Sequence, residues 1–129
     1  MNIVDSSGWL EYFADGPNAS FFSRPLQKTV DLVVPTITIY EVFKVILRQR
    51  NESDALQAIA LMQQGSIVDL TSNISVLAAK LSIDHSLPMA DSIILATARV
   101  YGAIIWTQDS DFKEIDGVQY IAKKEKLNG

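Results

Sequence analysis

Short β-rich runs alternate with longer stretches of helical spacing along almost the whole chain, and this alternation limits the fold more than any other feature. The runs are Asn2-Ile3-Val4-Asp5, Asp31-Leu32-Val33-Val34, Ser66-Ile67-Val68-Asp69, Ala103-Ile104-Ile105-Trp106-Thr107 and, near the end, Val118-Gln119-Tyr120-Ile121. A strand that recurs after each helical stretch predicts an α/β domain of three layers, α/β/α, around a mainly parallel five-stranded sheet. With 129 residues, 48% of them hydrophobic, the chain can bury one ordinary core. One domain over residues 1–122 is expected, with Lys123-Lys124-Glu125-Lys126 and the residues to 129 as a solvated tail.

Local punctuation places the helices. After Pro35, Thr38 to Arg50 sets Ile39, Val42, Phe43, Ile46 and Leu47 on one stripe. A second helix is expected from Ser53 to Gln64, capped by Gly65. A third opens at Ser72 or Asn73 and carries Val76, Leu77, Leu81 and Ile83 at helical intervals; a loop from Ile83 to Ser86 follows it. A fourth runs from Pro88 to Tyr101, with Gly102 just beyond. Residues 7–28 read as two short helices broken at Gly16-Pro17 and Pro25, with Trp9, Tyr12, Phe13, Phe21 and Phe22 for core packing or for docking a partner helix.

Composition excludes several classes. There is no cysteine, hence neither disulfide nor thiolate metal site, and a reducing cytoplasm is the expected compartment. No apolar run approaches the ~20 residues that cross a bilayer, and Asp5 stands where a secretory leader would be basic and then apolar. A net charge of -4 with pI near 4.8 argues against a broad basic nucleic-acid surface. Bound divalent cations would lift that objection at one place if the acids converge there. The mean hydropathy of +0.15 is high for so small a chain and points to a partner or a second copy covering apolar surface.

The acids do fall where convergence is expected. Asp5 ends the first strand, Asp109 follows the fourth by two residues, and Glu41 and Asp91 lie near helix starts. In a parallel α/β domain all four reach the rim at the carboxyl ends of the strands, the side where open sheets bind ligands. An oxygen-only donor set suits Mg²⁺ or Mn²⁺ rather than zinc. Each acid also has a plainer use. Thr38-Ile39-Tyr40-Glu41 has capping-box spacing, Asp91 complements a helix dipole, Asp109 or Asp111 serves as an N-cap, and Asp5 opens a turn. Thr107 either orients a ligand or is an ordinary turn residue. His85, the single histidine, is read as a surface or structural residue rather than a general base. Lys44 and Arg48 follow Glu41 at i+3 and i+7, as phosphate contacts or as a solvated face with a Glu41–Lys44 pair.

Four segments together resemble the motifs of PIN-domain, VapC-like toxins. They are Ile3-Val4-Asp5-Ser6-Ser7, Thr38-Ile39-Tyr40-Glu41-Val42, Leu87-Pro88-Met89-Ala90-Asp91-Ser92-Ile93-Ile94-Leu95-Ala96-Thr97-Ala98 and Thr107-Gln108-Asp109-Ser110-Asp111-Phe112, in that order and over nearly the whole chain. The resemblance implies strand order 3-2-1-4-5, metal-dependent cleavage of RNA, homodimerisation and inhibition by a cognate antitoxin protein. It implies Asp5, Glu41, Asp91 and Asp109 as catalytic metal ligands, Thr107 as the hydroxyl beside the last acid, and Asp111 at a position that is acidic in many members. Ser92 stands where the family commonly has alanine. Competing readings are a phosphate-accepting receiver domain, which needs a pair of acids after strand one where only Asp5 is present, and a non-catalytic module on the same fold. A non-toxin PIN nuclease acting on RNA or DNA is a further alternative.

Overall fold

A computed structural model describes residues 1–125. The chain runs β1 (Asn2–Val4), α1 (Ser6–Phe13), α2 (Ala19–Gln27), β2 (Val33–Pro35), α3 (Thr36–Gln49), α4 (Glu52–Met62), β3 (Ser66–Val68), α5 (Ser72–His85), α6 (Met89–Tyr101), β4 (Ile104–Thr107) and β5 (Val118–Tyr120). Two 3-10 turns, Thr29–Asp31 and Ser110–Phe112, precede β2 and follow β4. Every ladder is parallel: β1 pairs β4, β4 pairs β5, and β2 pairs β3. A single bridge from Asn2 to Leu32 joins the two groups, giving the order 3-2-1-4-5. No helix among the described residues is long and apolar enough to cross a membrane.

Strand alternation builds both faces. On β1, Val4 packs with Trp9, Phe22, Val34, Val42 and Met62, while Ile3 packs with Val33, Leu95, Ile105 and Phe112 on the other side. Adjacent residues buried on opposite faces mark β1 as a central strand between two helical layers. α1 to α4 cover one face. α6 lies against the other and is buried continuously from Ser92 to Ala98, because α5 packs on its far side through Ile74 and Ala78.

Several local expectations give way to tertiary demands. α3 begins at Thr36, not Thr38, because Pro35 holds φ -63 and ψ 137 as its N-cap. Pro25 lies inside α2 rather than breaking it, near the C-terminal end. Gly65 does not cap α4, whose C-cap is Gln63; a Cβ at Gly65 would come within 2.9 Å of Val34 Cγ2 and 3.0 Å of the Leu32 carbonyl oxygen. Thr71, not Ser72 or Asn73, caps α5 by accepting from the Ile74 amide. His85 ends α5 instead of lying in a loop, and Ser86 makes the stop in the left-handed region at φ 53. Val76 and Ile83 do not join the α5 stripe: they are 61% and 83% exposed. Of the expected tail, Lys123 to Glu125 are exposed, and residues 126–129 lie outside the described residues.

Gly8 controls how closely α1 approaches the sheet. A Cβ there would fall 2.5 Å from Val4 Cγ1 and 2.6 Å from Phe22 Cε1, both side chains fully buried. Gly8→Ala is therefore expected to cost about 1–3 kcal/mol through overpacking. Urea unfolding checks this; an unchanged midpoint contradicts so tight an approach.

Candidate metal centre

The register of β1 and β4 decides what meets at the rim. Val4 lies opposite Trp106, and the Asp5 amide donates to the Trp106 carbonyl at 3.2 Å, so Asp5 and Thr107 emerge side by side. The Thr107 hydroxyl donates to Asp5 Oδ2 at 2.6 Å and accepts from the Asp109 amide at 2.9 Å. One hydroxyl thus fixes the first acid and the backbone of the last. On its other side Asp5 accepts from the Gly8 amide (2.9 Å) and the Ser7 hydroxyl (2.8 Å to Oδ1), as N-cap of α1.

Glu41 lies in the second turn of α3 and accepts from the Ser6 hydroxyl at 2.6 Å. This removes the capping-box reading: Thr38 is inside the helix, buried, and its hydroxyl donates to the Pro35 carbonyl. Asp91 is the third residue of α6. Asp109 does cap, accepting from the Asp111 amide to start the 3-10 turn. That turn folds Asp111 back, so Asp91, Asp109 and Asp111 each offer an oxygen within 4.8 Å of the other two. The trans oxygens of an octahedral Mg²⁺ site are about 4.2 Å apart.

Electrostatics ties Asp5 and Glu41 to this trio. Burial first, then repulsion from Asp109, Asp5, Glu41 and Asp111, pushes the Asp91 carboxyl up to about 7. Asp5, 2% exposed, is pushed up to about 6 by burial. Hydrogen bonds from Thr107, Gly8 and Ser7 pull it back, and the charge of Asp109 adds to the rise. Four carboxylates acting on a fifth is an arrangement that a divalent cation relieves. The donor chemistry, all oxygen, fits Mg²⁺ or Mn²⁺.

The other named residues divide. Lys44 and Arg48 are exposed on α3. Lys44 Nζ sits 3.4 Å from the Tyr40 hydroxyl and does not pair with Glu41; the ion pair found among the described residues is Arg50–Asp54 at 2.7 Å. His85 is exposed in the last turn of α5. Ser6 and Ser7 carry no role in a reading by residue type, although they stand beside Asp5; their hydroxyls become legible once α3 is seen to bring Glu41 to them. From Ser7 and Gln108 a groove of roughly 710 Å³ runs between α1, α3 and α4 along Leu10, Phe13, Ile46 and Leu61.

The PIN domain family matches this chain over residues 3–118. Among solved structures, a toxin-antitoxin complex from Klebsiella pneumoniae contains a chain 22% identical, with TM-score 0.77, covering 92% of this chain and 96% of that one. Mycobacterium tuberculosis VapC20, a sarcin-ricin loop cleaving toxin, is 17% identical with TM-score 0.78, covering 92% and 97%. DNA-bound VapBC from Salmonella typhimurium is 13% identical with TM-score 0.73, covering 95% and 98%. At these identities the likeness is one of fold. No curated protein matches the sequence significantly.

The raised acids give the metal-free protein a signed pH dependence. Both Asp5 and Asp91 rise from an ordinary 3.8, so the folded chain binds more protons than the unfolded chain between about pH 4 and 7. Stability is then gained as pH falls from 7.5 to 5 and lost on the way back. Thermal melts in EDTA are expected to show that rise. Asp91→Asn is expected to flatten it and to raise the melting temperature at pH 7.5, since it removes repulsion. A lower melting temperature for Asp91→Asn at pH 7.5 contradicts the clustering.

Proposed function

The chain belongs to the PIN domain family, and from that premise we propose that it is a divalent-metal-dependent endoribonuclease, the toxin of a VapC-like toxin-antitoxin pair, with residues 1–122 as the nuclease domain. The observation that carries the reading is the convergence of Asp91, Asp109 and Asp111 within 4.8 Å, with Asp5 and Glu41 acting on the same point. A shared structural role for five acids at one rim has no stabilising logic without a cation. The Klebsiella and Mycobacterium relatives, one in a toxin-antitoxin complex and one a toxin that cleaves the sarcin-ricin loop, support the biological assignment.

In this mechanism Asp5, Glu41, Asp91 and Asp109 would hold Mg²⁺, for which Mn²⁺ could substitute, with Asp111 completing the rim. A divalent ion there would supply Lewis acidity toward a water and the scissile phosphate. Thr107 keeps Asp5 oriented by donating to Oδ2, while Gly8 donates to Oδ1 and the Ser7 hydroxyl reaches both oxygens. Ser6 orients Glu41 in the same way. Asp91 must give up its proton before it can act as a ligand, so protons would compete with the metal and weaken its binding as pH falls below about 7. Lys44 and Arg48, on the helix that carries Glu41, contact phosphates of the RNA away from the cleaved bond.

Two partners complete the proposal. The groove lined by Leu10, Phe13, Ile46 and Leu61 opens beside Ser7 and Gln108; an antitoxin segment with apolar anchors fits it, a basic side chain reaching the acids. A homodimer accounts for exposed Val76, Ile83 and Met89 and for the positive mean hydropathy.

Purified protein freed of inhibitor is expected to cleave RNA with Mg²⁺ or Mn²⁺ and not in excess EDTA. Undiminished cleavage in EDTA, with contaminating nucleases excluded, contradicts the mechanism.

A further inference from the structure

Asn18 stands at the start of α2, where an asparagine ordinarily caps by accepting from the helix amides. It makes no such bond. Its side chain, 1% exposed, instead sends Nδ2 to two distant acceptors: Gln108 Oε1 at 3.0 Å and the Ala122 carbonyl at 3.1 Å. Its Oδ1 is buried and finds no donor among the described residues. The backbone amide of the same residue is held by Glu11 Oε2 at 2.7 Å. A polar group buried with one end unsatisfied is costly, and it is kept here by what the other end does.

What that end holds is the back of the metal-binding strand end. Along extended chain, successive side chains point to opposite sides. Thr107 and Asp109 both turn to the acid cluster, and Gln108 between them, 7% exposed, turns away to Asn18. The adjoining chain beyond β5 is fastened at the same place: the Ile121 amide donates to the Thr107 carbonyl at 3.0 Å, and Ala122 accepts from Asn18. We propose that Asn18 is a positioning residue for the metal centre, acting through Gln108 and Ala122 to fix the Thr107–Asp109 segment from behind. The inference rests on the nuclease reading above, because it concerns the ligands of that site.

Supporting groups behind metal ligands typically change metal affinity 10- to 100-fold when removed. The test is Mn²⁺ titration followed by electron paramagnetic resonance, on wild type, Asn18→Ala, Gln108→Met and the double variant. It is run at a temperature where circular dichroism shows each one folded. Asn18→Ala is expected to weaken Mn²⁺ binding about 10-fold. Gln108→Met, which keeps length but removes the acceptor, should weaken binding in the same direction, and the double variant should be no weaker than Asn18→Ala alone, since that change already cuts the bond to Gln108. Gln108→Met also serves where Asn18→Ala does not fold. Mn²⁺ affinity within twofold of wild type in the folded variants, or losses that simply add, overturns the proposal. A wild type that binds no Mn²⁺ overturns the nuclease reading and this inference with it; a wild type that binds, beside variants that bind equally, overturns this inference alone.

Discussion

The bond from the Thr107 hydroxyl to Asp5 sets the geometry on which the rest of the rim depends. It joins the end of β1 to the end of β4 through a carboxylate that is 2% exposed, and the same hydroxyl receives the Asp109 amide. Without that hydroxyl the Asp5 carboxylate would lose the donor on Oδ2 and the Asp109 amide its acceptor, although the backbone ladder would still hold the strand ends level. The parallel register, Val4 opposite Trp106, is what puts donor and acceptor level. A one-residue slip would turn Asp5 and Thr107 to opposite faces.

Crowding five carboxylates at one edge opposes folding. Two unit charges ~5 Å apart repel by roughly 3 kcal/mol at an effective dielectric of 20. Burial first, and repulsion after it, pushes the Asp91 and Asp5 carboxyls up to about 7 and 6, so proton uptake there relieves part of the crowding. The remainder is offset by apolar packing directly beneath: α6 is buried without interruption from Ser92 to Ala98, and Ile3, Val33 and Ile105 pack below it. The first turn of α6 is thus held in place by its own core-facing body, and Asp91 cannot move away from its neighbours. Local instability at a functional rim, supported by a rigid core, is a familiar division. On the proposed reading, cations held at this rim would also let an acidic protein meet a polyanionic substrate.

Much of this architecture is legible in the amino-acid sequence. The alternation of strands and helices is a local signal, with periods of 2 and 3.6, and five strands and a fold of three layers follow from it. The ordered motifs around Asp5, Glu41, Asp91 and Asp109 pointed to one rim. Other features depend on contacts that spacing cannot express. Thr38 and Glu41 satisfy the capping box equally well on paper, and only the helix start at Pro35 decides that Glu41 turns to Ser6. Val76 and Ile83 recur at helical intervals, yet both are exposed among the described residues. Gly65 reads as a cap but is needed for the approach to Leu32 and Val34. Asp111 joins the trio because a 3-10 turn follows Asp109, and Asn18, at the N-cap position of α2, makes side-chain bonds that span 90 and 104 residues.

The central claim is that these carboxylates form one cation site. Crystals soaked in Mn²⁺ and measured at a wavelength that excites manganese test it most directly, since the anomalous signal locates the ion without reference to activity. The account predicts that the strongest anomalous peak lies at the carboxyl rim, within bonding distance of oxygens from Asp91 and Asp109. A map in which every manganese peak lies away from these carboxylates would contradict it.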